Sequence, residues 1–75
     1  MSLNEKVKDV LTRAYLEPFT LQSDFARENA YLIARLAREG LITTKTPSGV
    51  HGRRWLITLQ GLLLLQVLEF GSDEN

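Results

Sequence analysis

The stretch Gly40–Leu65, GLITTKTPSGVHGRRWLITLQGLLLL, decides the fold. Its two runs LITTKT and RRWLITL are rich in β-branched and aromatic residues, and PSGVHG between them supplies Pro47, Gly49 and Gly52 as turn residues. The expectation is a β-hairpin over about residues 41–58 with a loop of about six residues or more, ending in the pair Arg53 and Arg54. Trp55, Ile57 and Leu59 alternate with Leu56 and Thr58, so the Trp55 face is expected to cover the core. Thr58 is placed to cap a final helix over about residues 60–70. That helix carries more leucine than one buried stripe needs. The surplus, Leu63 and Leu64 with Phe70, is a candidate homodimer contact, the alternative being that these residues close over the hairpin and the first helix.

Upstream, TLQSDFARENAYLIARLAREG (Thr20–Gly40) opens with Thr20 and Ser23 as competing N-caps and closes with Gly40, a residue suited to the left-handed conformation that follows a helix. Phe25, Ala26, Ala30, Ile33, Leu36 and Ala37 recur at helical spacing as the buried face. The segment, about residues 21–39, reads as one helix or as a short helix and a longer one, with Glu28, Asn29 and Ala30 as the place for a turn. Before it, Leu3, Val7, Val10, Leu11 and Ala14 form one helical stripe, which predicts a first helix over about residues 4–16, stopped by Pro18.

Seventy-five residues make one small domain with a single core and little room for an enclosed active site. The absence of cysteine removes disulfides and thiolate zinc sites, and the lone His51 makes no metal cluster, so no metal or other cofactor is expected. The carboxylates fall on helix surfaces or near the end of the chain, an arrangement that does not suggest an enzyme, and no small-molecule substrate is evident. MSLNEKVKDV lacks the features of an export signal, and the longest apolar run, Leu62–Leu65, is far too short to span a bilayer; a cytoplasmic protein without membrane contact is the expectation. Formal net charge is zero, yet its distribution is uneven. Arg35, Arg38, Lys45, Arg53 and Arg54 stand in the middle of the chain against Glu39, while the tail, residues 71–75, carries Asp73 and Glu74.

The order of helix, helix or helix pair, GLI, hairpin and LITLQGLLLL resembles the winged helix-turn-helix family: a mostly α fold with a small β-hairpin, a three-helix core plus a two-stranded wing. LAREGLI (Leu36–Ile42) is similar to the end of a recognition helix in that family, and Gly52, Arg53 and Trp55 to the return of a wing. Leu56 to Gly61 is similar to its step into a final helix, with Ile57 inserted. The likeness covers roughly Thr20–Leu68. One departure is that Ala26 to Gly40 is short for two helices and their turn, so either the helix-turn-helix is compressed or the first helix takes the positioning role. The sequence also loosely resembles small temperate-phage and prophage proteins.

This resemblance implies a sequence-specific protein for double-stranded DNA, a small transcriptional regulator of bacterial or phage origin. Its recognition helix would present Arg27, Tyr31, Arg35 and Arg38, at spacings of four, four and three, and its wing Lys45, His51, Arg53 and Arg54. Arginine can read guanine or hold phosphate, and tyrosine can donate to phosphate. A charged stripe is also what a solvated helix face looks like, and Arg35 is spaced to pair with Glu39. The alternative function is a winged-helix module that docks a protein and leaves DNA alone, which neutral charge and a leucine-rich final helix suit.

Overall fold

A computed structural model describes residues 2–71. Its elements run α1 (Leu3–Leu16), β1 (Phe19–Thr20), α2 (Asp24–Glu28), α3 (Ala30–Arg38), β2 (Ile42–Lys45), β3 (His51–Ile57) and α4 (Leu59–Gly71). The chain is mostly helical with a small antiparallel sheet in the order β1-β3-β2. Two strands were expected and three are present. β1 exists because Phe19 and Thr20 pair with Trp55 and Arg54, a tertiary contact that no local pattern in EPFTLQ announces. Gly71 belongs to α4, and the rest of the expected acidic tail lies outside the described residues.

Each helix boundary has a local cause. α1 starts in a capping box: the Glu5 N–H donates to Ser2 Oγ and the Ser2 N–H to Glu5 Oε1, both at 3.2 Å. It ends at Glu17, before Pro18. Ser23, and not Thr20, caps α2. Its hydroxyl accepts from the Ala26 N–H at 3.1 Å and donates to the Thr20 carbonyl at 2.8 Å, which ties the helix start to β1. The segment that follows is two helices. Asn29 sits between them with φ −116° and ψ 21°, and the Phe25 carbonyl accepts from both its N–H, at 3.1 Å, and its Nδ2, at 2.9 Å, so the side chain ties the junction to the end of α2. α3 closes at Gly40, whose φ of 77° lets the Leu41 N–H reach back to the Leu36 carbonyl at 3.0 Å.

The core gathers Val10, Leu11 and Ala14 from α1, Phe19 from β1, Ala26 from α2, Ile33 and Leu36 from α3, Ile42 from β2 and Leu65 from α4. Phe19 and Phe25 meet edge to face, with centroids 4.9 Å apart, and the Arg13 guanidinium covers the Phe25 ring at 4.2 Å. Trp55 and Ile57 pack on this core half-buried, as the strand alternation requires. Leu59 does not continue their face: it opens α4 and is exposed. Ala30, expected inside, is exposed because the break at Asn29 resets the helical phase. Among the described residues no helix is long and apolar enough to cross a membrane.

Candidate functional site

α3 is amphipathic, with Ile33 and Leu36 buried and Leu32 and Ala37 half-buried against the core. The helical repeat then sets Ala30, Tyr31, Ala34, Arg35 and Arg38 on the outer side, all of them exposed. The two alanines leave this face shallow between its polar side chains, and Tyr31 is 93% exposed. Leu3 and Lys6 of α1 join Tyr31, Leu32 and Arg35 around an open groove beside it.

The expected stripe of Arg27, Tyr31, Arg35 and Arg38 is therefore divided. Tyr31, Arg35 and Arg38 share α3, whereas Arg27 belongs to α2, on the other side of the Asn29 break. Two of the arginines are engaged. Arg27 is ion-paired with Asp24, one turn back on the same helix. Arg35 Nε donates to Glu39 Oε2 at 3.4 Å, the pairing that its spacing predicted. Arg38 has no carboxylate within 4.0 Å among the described residues.

The second group of cations is carried by β3 and its neighbours. The hairpin turn itself is short: the Thr46 N–H donates to the Val50 carbonyl and the Gly49 N–H to the Thr46 carbonyl, both at 2.9 Å. His51, Arg53 and Arg54 consequently lie on the strand, where a longer loop ending in the arginines was expected. Lys45 stands opposite His51, and His51 Nδ1 is 2.8 Å from Thr44 Oγ1.

The register of β3 explains where the two arginines go. Thr43 pairs with Leu56, but Lys45 pairs with His51, so the segment Gly52–Trp55 stands opposite Thr44 alone. This irregularity falls between Thr43 and Lys45 on β2. It detaches Arg54 and Trp55 from β2 and hands them to β1, where Arg54 pairs with Thr20. The Leu21 N–H also donates to the Arg53 carbonyl at 3.0 Å. Arg53 lines a shallow depression with Thr20, Leu21 and Gln22, and both arginine side chains are exposed with no carboxylate within 4.0 Å among the described residues. Successive strand residues point to opposite faces, so Arg53 and Arg54 serve different sides of the strand.

Sequence reasoning missed Ala34 and the register shift between β2 and β3. The signal for Ala34 was present, since it lies between Tyr31 and Arg38 at helical spacing. Among the described residues no three His, Asp or Glu side chains gather as a metal site would require.

Among the described residues, fold and surface define a small α+β protein with an exposed helix face and a strand whose two arginines have no carboxylate partner. The chain is 43% identical over 49 residues to the gene 5.7 protein of enterobacteria phage T3, a match that spans 65% of this chain and 71% of that protein. It is equally similar, over the same length, to the fusion protein 5.5/5.7 of Escherichia phage T7, of which it spans 29%. The chain belongs to the phage gene 5.7 protein family. No profile of a known protein family matches it, and no solved structure does.

Proposed function

We propose that the chain is a winged-helix protein that binds double-stranded DNA, a small transcriptional regulator working in a phage setting. In this reading α2, Asn29 and α3 form the helix-turn-helix, α3 enters the major groove, and β2 with β3 forms the wing. The observation that carries it is the outer face of α3, where Tyr31, Arg35 and Arg38 project beside two alanines and none of the described residues covers them. A helix that inserts into a groove needs long polar side chains to reach base edges and phosphates, and small ones to let its backbone approach. The exposed Arg53, Arg54 and Lys45 supply phosphate contacts at a second place, which fixes the helix in register.

A second reading is supported by one observation of its own. Tyr31 is 93% exposed and borders the groove that Leu3 also lines, and an exposed aromatic beside an apolar depression suits protein docking on a chain with no net charge. Titration of isotopically labelled protein with an arbitrary short duplex, at low and at moderate salt, separates the two. Salt-sensitive amide shifts at residues 30–38 and 45–54 are expected for DNA binding. No shifts at either salt would overturn it and leave protein docking as the function.

A further inference from the structure

We infer that the outer face of α4 is a homodimer contact, in which two copies pack their final helices against each other about a two-fold axis. This inference does not depend on DNA binding.

α4 is apolar over most of its circumference, which in a small protein points to burial on more than one face. Its inner face is accounted for: Gly61 and Leu65 are buried, and Leu64 and Leu68 pack on the core. Leu64, expected in the contact, is thereby removed from it. The outer face is Leu59, Leu63, Val67 and Phe70, at spacings of four, four and three, and these are 74%, 54%, 63% and 71% exposed. One narrow stripe thus holds four of the large exposed apolar side chains.

Three features select a second copy as the occupant. The exposed polar residues bordering the stripe include Gln60 and Gln66, and α4 has one ionisable side chain, Glu69, in a protein that is 24% charged. A neutral face has nothing with which to choose a charged partner, and meeting its own copy costs no repulsion. A two-fold contact must also be self-complementary. A glutamine amide is donor and acceptor at once, so Gln66 can bond to its own counterpart. Finally, the four side chains expose on the order of 450 Å² per copy, roughly 900 Å² for a pair, which falls in the class of weak, reversible complexes below about 1,200 Å². The zero net charge of the chain removes the general repulsion that keeps many proteins monomeric.

The test is sedimentation equilibrium of the full chain from about 1 µM to about 1 mM, the span in which an interface of this size dissociates. The apparent mass is expected to rise with concentration from 8.5 kDa toward twice that value. Leu63→Glu and Val67→Glu, each checked for retained helix by circular dichroism, are expected to weaken dimerisation at least tenfold. Val50→Glu, at an exposed apolar residue on the hairpin turn, is expected to leave it unchanged. A mass that stays at one chain through the whole range overturns the proposal. So does an unchanged dissociation constant in either folded α4 variant.

Discussion

Gly61 lies against Leu41 so closely that a Cβ on Gly61 would run into the Leu41 carbonyl oxygen and stand 2.8 Å from Ile57 Cγ1. The first turn of α4 rests directly on the backbone that leads from α3 into β2. Backbone atoms cannot move aside as a flexible side chain can, so the helix would have to shift. Gly61→Ala is therefore expected to cost about 2–3 kcal/mol, even after a gain of about 1 kcal/mol in helix propensity. For a chain of this size the melting temperature would fall by on the order of 10 °C. Thermal and urea denaturation measure both, and a variant as stable as the wild type would show that α4 sits further out.

Thr58 locks the same junction. Its N–H donates to the Leu41 carbonyl at 3.1 Å, its hydroxyl lies 2.7 Å from the Gly40 carbonyl oxygen, and Thr58 Oγ1 accepts from the Gly61 N–H at 3.0 Å. One side chain thus caps α4 and holds the end of α3. Thr58→Val keeps the shape and removes the hydroxyl, so a loss of about 1–2 kcal/mol is expected, with faster hydrogen exchange at the Gly61 amide. Thr58→Ser, which keeps the oxygen, should recover most of the loss.

Much of this junction was legible in the sequence, because Thr58, Gly40 and the leucine run each signal a boundary by local chemistry. α1, the hairpin and α4 fall where periodicity and turn residues put them. β1 was not legible, since its strand conformation depends on Trp55 lying beside Phe19. The break at Asn29 was visible only as an option, because neither glycine nor proline compels it. The candidate surface was half legible. Exposure of Tyr31, Arg35 and Arg38 follows from helical phase, but the placement of Arg53 and Arg54 depends on a register shift that strand patterns do not encode. The outer stripe of α4 was legible only in part, because packing against α1 and β3 draws Leu64 inward and turns Leu59 and Val67 outward.

The start of α1 should respond to acid. The Ser2 N–H, and after it the Ser2 hydroxyl, hold the Glu5 carboxyl below its ordinary value. A carboxylate whose folded value is depressed stabilises the fold at pH above its unfolded value, and the stabilisation is lost as pH falls through the lower, folded one. Fraying of α1 is therefore expected in the acidic range beginning at ordinary carboxylate values and continuing below them. It would be read from amide exchange in the first turn at a series of pH values. Glu5→Gln keeps an acceptor for the Ser2 N–H and cannot titrate, so its first turn should lack this pH dependence. A Glu5 carboxyl resonance titrating at or above the ordinary value would refute the capping-box account.

Charge pairing on α3 leads to two DNA-binding predictions of opposite sign. Arg38 is unpaired among the described residues, so a phosphate can take it without breaking an existing contact; Arg35 must first leave Glu39. Arg38→Ala is expected to weaken binding about fivefold to tenfold and to reduce the slope of log K against log salt by about 0.9, the amount for one phosphate contact. Glu39→Gln removes a nearby negative charge and releases Arg35, so binding should tighten, most strongly at low salt where screening is weakest. Fluorescence anisotropy with a labelled duplex over a salt series measures both. If Glu39→Gln leaves the affinity and the slope unchanged while Arg38→Ala reduces them, the C-terminal end of α3 touches the backbone and Arg35 faces away from it. If neither variant moves the slope, α3 does not meet DNA, and the exposed arginines of β3 carry whatever binding the duplex titration detects.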